Sequence, residues 1–241
     1  NVMKLIDTGL SNTKIKKTQK EYNPFDRAFR MSSLSLYPND DICPGSLLAD
    51  CQEACLRSAG YGKFDNVKNG RKKKTDLWLN NPEKFLDIYI KELGNFQKLC
   101  DKQNVQAVHR ANTISDIDFE NYGVPQLFPR MFFYDYTKRA HRLTRTPENY
   151  RLMFSFSGVQ KYQNQVKAAL KTEAPISAVF NGPFPDEFLG REVIDGDKSD
   201  LINLYAGKKI IGLKAKGDAK KDNTGFVIHT KKILIPAVEV E

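Results

Sequence analysis

Three cysteines lie within thirteen residues, at Cys43, Cys51 and Cys55. Three thiolates from one loop can bind a soft metal or hold a 4Fe–4S cluster while leaving one coordination position open. An open position goes with chemistry, whereas four closed ligands go with structure. The spacings lack the paired Cys-x-x-Cys knuckles of the strongest zinc signatures, so zinc is the second candidate occupant. The competing reading makes Cys51 and Cys55, one helical turn apart, buried apolar residues. Cys100 keeps step with Phe85, Tyr89, Leu93 and Phe96 at helical spacing and is expected in the core.

A second set of residues could do acid–base or cation chemistry. Asp116 and Asp118 alternate on an extended segment, which turns them to one side where they could hold a divalent cation. His109 and Arg110 sit nearby in sequence, and His109 with the two aspartates makes a candidate catalytic set. Asp195, Asp197 and Asp200 form a later acidic group, but Asp-Gly favours turns, and turn chemistry is the reading preferred there. His141 and His229 stand in polar, basic surroundings and are expected at the surface. No Walker loop, nucleophile elbow or HExxH motif is present.

The elements that must position these residues alternate. Strands are expected over 31–37, 105–110, 131–137, 150–157, 176–182 and 209–216, with a last extended piece over 233–241. Asn81 followed by Pro82 and Glu83 signals a helix start, and a polar helix is expected over 162–171. Alternating strands and helices predict an α/β fold, one domain over 1–241, with a mostly parallel sheet that is partly TIM-barrel-like. Residues 1–30 are read as a basic N-terminal arm. In such folds ligands collect at the carboxyl ends of strands, and those ends here lead to the cysteines, to His109–Asp118, to Thr137 and Lys138, and to Ser155 and Ser157.

The chain has 241 residues, 40% of them hydrophobic, enough to bury a sizeable core. It has no apolar run long enough to span a membrane and no signal-like start, so a cytoplasmic protein is expected. Its formal net charge is +9. Lysine and arginine cluster in three places, one of them Lys68, Arg71, Lys72, Lys73 and Lys74, which follows the cysteines. Such runs neutralise phosphates, and a nucleic-acid partner is one reading of them, with Tyr61, Phe64 and Trp78 for base stacking. A solvated charged face is the other.

Several segments together resemble the gene product 88-like family of phage and prophage proteins: Ala54–Phe64 (ACLRSAGYGKF), Arg110–Glu120 (RANTISDIDFE), Phe133–Lys138 (FYDYTK), Pro147–Gly158 (PENYRLMFSFSG) and Val193–Asp200 (VIDGDKSD). The resemblance supplies a context and no reaction, and it implies that the cysteines, the Gly60–Gly62 motif, Arg71, Asp116 and 134–138 form one constellation. A more distant likeness is to radical S-adenosylmethionine enzymes, in the order strand, three-cysteine loop, helix. The serine segment at 152–158 also looks like theirs, although the cysteine spacings differ. That likeness implies a cluster on Cys43, Cys51 and Cys55 and S-adenosylmethionine near Ser155 and Ser157. It also implies a substrate, nucleic acid or nucleotide, near His109 and Asp116. The alternative is a non-catalytic DNA- or RNA-binding protein of phage replication or host takeover. A magnesium nuclease built on Asp116 and Asp118 is the weakest reading.

Overall fold

The computed structural model describes residues 3–9, 13–55 and 64–230. The Gly60–Gly62 motif, Tyr61 and the extended piece expected over 233–241 lie outside the described residues. The chain opens with β1 (Ile6–Asp7), α1 (Thr13–Glu21) and β2 (Phe29–Leu34), then α2 (Ser46–Ala49), α3 (Asp65–Asn80) and α4 (Pro82–Lys102). There follow β3 (Gln106–Arg110), β4 (Phe132–Thr137), β5 (Tyr150–Ser155), α5 (Gln163–Leu170) and β6 (Ile176–Asn181). The last part holds β7 (Glu187–Phe188), β8 (Arg191–Asp195), α6 (Asp200–Leu204), β9 (Ile210–Lys214) and β10 (Ile228–His229).

One sheet runs in the order β1-β2-β3-β4-β5-β6-β9-β8-β7, with β10 also paired to β6. From β2 to β8 every neighbour is parallel, and only the edge strands β1 and β7 run antiparallel. The fold is therefore mixed α/β with a large, mostly parallel sheet. The sequential order β2 to β6 is that of a barrel wall, but the sheet stays open. After β6 the chain crosses to the far edge and fills inward, so β9 rather than β7 pairs with β6.

Parallel strands covered on both faces read as largely apolar runs, as β4, β5, β6 and β9 do, whereas β2 and β3 also bury Ser32, Ser33, His109 and Arg110. Ala107, Phe133 and Leu152 face α4, whose Phe85, Tyr89, Leu93, Phe96 and Cys100 form its buried stripe. Alternate positions, Met31, Val108, Tyr134 and Met153, face Ile15 of α1 and Leu201 and Leu204 of α6. Helix α1 of the basic N-terminal stretch packs on the sheet through Ile15. Helix α4 starts where its cap signal lies, with the Asn81 side chain accepting from the Lys84 amide at 3.0 Å and Pro82 in the first turn. Among the described residues no helix is long and apolar enough to cross a membrane.

Candidate functional site

The cysteine loop follows β2 and is tied down at the carboxyl ends of its neighbours. The Ile42 carbonyl accepts from the Asp116 amide at 2.8 Å, and the Cys43 thiol donates to the Ile114 carbonyl at 3.6 Å. Beyond it, Ser157 at the end of β5 donates to the Ala49 carbonyl at 2.8 Å, and Lys161 pairs with Asp50 at 2.6 Å. Gly45 is needed at its place, because a Cβ there would stand 2.6 Å from Cβ of Lys138. Gly45→Ala is expected to push the loop off the end of β4 and to cost about 1–3 kcal/mol, as overpacking does. Urea denaturation measures it, and an unchanged midpoint would refute the close approach.

Cys43, Cys51 and Cys55 are all unbridged and half-buried. Burial pushes the Cys43 thiol up to about 12; Cys55 and Asp116 push the same way and Lys138 opposes them. The three thiols therefore share one electrostatic neighbourhood, and Cys43 is a neutral thiol at neutral pH. They do not converge on one point: among the described residues no group of three or more His, Cys, Asp or Glu side chains is placed to hold a metal ion. Cys100 lies in the core, as its helical spacing predicted.

The alternating acids after β3 meet arginines. Asp116 accepts from Arg142 Nη1 at 2.5 Å, from Thr137 Oγ1 at 3.1 Å and from the Lys138 amide at 3.0 Å, with Arg139 at 3.7 Å. Asp118 pairs with Arg139 at 3.3 Å, and Glu120 takes Arg142 in a two-pronged bond at 2.7 and 2.8 Å. Burial works to deprotonate Arg142, but Tyr150, Glu120 and Asp116 outweigh it and hold the guanidinium charged. On the side that Asp116 and Asp118 share, they meet two guanidinium groups, those of Arg139 and Arg142.

His109 lies on the α4 side of the sheet, fully buried, with Nδ1 2.7 Å from Ser32 Oγ and Nε2 2.8 Å from Tyr89 Oη. Burial lowers its pKa to about 3, so the ring is neutral. With both nitrogens engaged inside the core, it has none left for a substrate proton. Asp135, one strand over, accepts from the Asn112 amide at 2.7 Å and from Tyr150 Oη at 2.5 Å. Burial raises it to about 6 against the lowering effect of those bonds and of Arg110.

Asp200 belongs to neither a turn nor a cation site. It is wholly buried at the start of α6, 3.1 Å from Arg110 and 3.4 Å from Lys14, and both Tyr134 and Tyr136 donate to it. Burial would raise its pKa, but Arg110 and Lys14 bring it below the usual carboxylate range. Sequence reasoning missed this network and Arg142 alike, because the partners are 90 and 66 residues apart in one case and 26 and 22 in the other. Ser155 and Ser157 stand at the end of β5, Ser155 accepting from Lys138 Nζ at 2.8 Å. His141 and His229 are exposed, as expected.

The basic run after the cysteines lies on α3. Lys74 donates to the Leu5 carbonyl at 2.6 Å, Lys68 pairs with Asp65 at 3.6 Å, and Lys72 stands over the Tyr37 ring. Arg71 is half-buried within electrostatic reach of Cys55, and Lys73 is exposed. Trp78, expected as a stacking residue, is buried against Phe85, Phe119 and Tyr122, because it sits on the stripe of α3 that meets α4. Phe64, just before α3, is exposed.

These features define an open, mostly parallel α/β protein that gathers thiols, a lysine and a serine at the carboxyl ends of its strands, beside a buried arginine–carboxylate network. The chain belongs to the Gene product 88 family, whose model matches residues 3–230. No curated protein and no solved structure matches it.

Proposed function

We propose that Cys43, Cys51 and Cys55 hold a metal centre, a 4Fe–4S cluster before zinc. We further propose that the protein is a phage enzyme of radical S-adenosylmethionine type acting on nucleic acid or nucleotides. The observation that supports it is the position of the cysteine loop: at the carboxyl end of the first parallel strand in a run whose spatial order follows chain order. The donor set fits in chemistry, three thiols within electrostatic reach of one another, but not in geometry, so the loop must draw them together to hold the centre. A cluster so held would supply one-electron chemistry at its open position. Binding must displace the Cys43 proton, so affinity is expected to rise with pH, and the loop is expected to tighten as the thiols close on the centre.

Anaerobic reconstitution with iron and sulfide, with zinc measured on the same samples, tests the centre. Near-stoichiometric metal and visible absorbance, both lost in the Cys43→Ala, Cys51→Ala and Cys55→Ala variants, are expected. No metal, with alkylation rates of the three thiols untouched by added iron or zinc, would overturn it. Calorimetry with S-adenosylmethionine on loaded protein then tests the enzyme class. A second reading, a non-catalytic nucleic-acid binder, draws on the net charge of +9 and on exposed Lys72 and Lys73. It expects salt-dependent binding that is indifferent to the three cysteine substitutions.

A further inference from the structure

We propose that Lys138 and Ser155 form a binding site for the oxyanion, carboxylate or phosphate, of a small ligand at the carboxyl ends of β4 and β5. The proposal deepens the enzyme reading by naming the chemistry its ligand must carry, yet it does not require the metal.

Lys138 is half-buried at the end of β4, with its Nζ 2.8 Å from Ser155 Oγ and 5.1 Å from the centre of the Phe226 ring. Its partners contrast with those of the cations that share Asp116 with it. Arg139 and Arg142 each pair with a carboxylate, whereas Lys138 has no ion pair among the described residues and is bonded to a hydroxyl and stands over a ring face. Removing an ammonium from water without an opposite charge is costly unless something compensates it. Asp116, which accepts from the Lys138 amide, has its oxygens taken by Arg142, Thr137 and that amide.

The geometry is fixed before any ligand arrives. The single Tyr162 Oη proton is shared between the Lys138 and Ser155 carbonyls, at 2.9 and 2.8 Å, which ties the ends of β4 and β5 together. Gly45 presses the cysteine loop against Lys138 on one side, and Phe226 walls the other. Ser155 Oγ accepts from Lys138, so its own hydroxyl proton is available to a second acceptor. An ammonium and a hydroxyl side by side, with two remaining lysine protons, make a compact charge-assisted donor pair suited to one oxyanion.

The test uses the full-length, metal-free protein with inorganic phosphate and with acetate, each against chloride at matched ionic strength. At least one oxyanion is expected to raise the thermal midpoint, and which of the two does so distinguishes phosphate from carboxylate. Lys138→Met is expected to weaken that binding by about tenfold or more and Ser155→Ala by less, with Lys138→Arg retaining part of it. Without ligand, the Lys138→Met midpoint is expected to stay level or rise, since an ammonium without a carboxylate has been removed. No oxyanion effect beyond chloride, or an equal effect in wild type and Lys138→Met, overturns the site. So does a Lys138→Met midpoint that falls without ligand, which would make the lysine structural. A variant with all three site cysteines changed to alanine should still bind the oxyanion, so failure of the metal reading leaves this result standing.

Discussion

Replacing Arg142 by methionine is expected to cost about 3–5 kcal/mol, the usual penalty for stripping one partner from a buried ion pair. The arginine side chain is 2% exposed, and its partners Asp116 and Glu120 are 8% and 5% exposed. Without the guanidinium two carboxylates face each other with little water to screen them. Domains are stable by only about 5–15 kcal/mol, so the variant should melt roughly 10 °C or more below the wild type. Adding Glu120→Gln to the variant should restore part of the loss, because the uncompensated charge is what costs. Arg142→Lys should fall between, since a single ammonium cannot span both acids with the same fork. A loss below about 1 kcal/mol for Arg142→Met, on the scale of an exposed pair, would show that the network is not buried as described.

The stability of the protein is expected to be nearly flat between about pH 4 and pH 6, because two buried groups pull in opposite directions there. His109 has a folded pKa of about 3 against about 6.5 unfolded. Between those values the unfolded chain holds more protons, so stability falls as pH drops, by about 1.4 kcal/mol per pH unit and about 5 kcal/mol in all. Asp135 is raised to about 6 from 3.8. In that window the folded chain holds more protons, so stability falls as pH rises, by about 3 kcal/mol in all. Below pH 4 only the His109 slope survives, joined by Asp200 and Asp197, whose lowered pKa values stabilise the fold above their range and cease to as they protonate. Urea denaturation followed through the single tryptophan, Trp78, reads this directly. Asp135→Asn should uncover the His109 slope from about pH 6.5 downward, and His109→Gln should leave stability rising from pH 6 to pH 4. A profile for Asp135→Asn that superimposes on the wild type would remove Asp135 from the account.

The elements that can be read locally were read well. The Asn81–Pro82 start of α4, its buried stripe through Cys100, and the strands β3 to β6 and β9 are set by side-chain period and capping, which neighbours in sequence determine. Other pieces are not legible: α1, with mostly lysine and glutamine on it, β7 and α6, too brief for a pattern to show, and β8, whose run Arg191–Asp195 is largely charged and only half-buried. Helix α3 was seen only as a run of charge, because Thr75 and Trp78 are its sole fully buried residues. The open sheet, in place of a barrel, depends on where the chain goes after β6, and no local signal carries that.

The same divide runs through the site. By itself the sequence determined that three thiols follow the first parallel strand, that serines end β5, and that Asp116 and Asp118 share a side. Alternation on an extended chain is a local property. What those acids face was decided by the tertiary structure, which brings Arg139 and Arg142 from beyond the next strand and spends the carboxylates on charge neutralisation. Burial likewise decided His109, whose both nitrogens are closed by Ser32 and Tyr89, and Trp78, turned inward against Phe85. Only the packed sheet sets Lys138 beside Ser155 and under the cysteine loop, because lateral neighbours at strand ends are assembled by register between strands, and register is a property of the whole sheet.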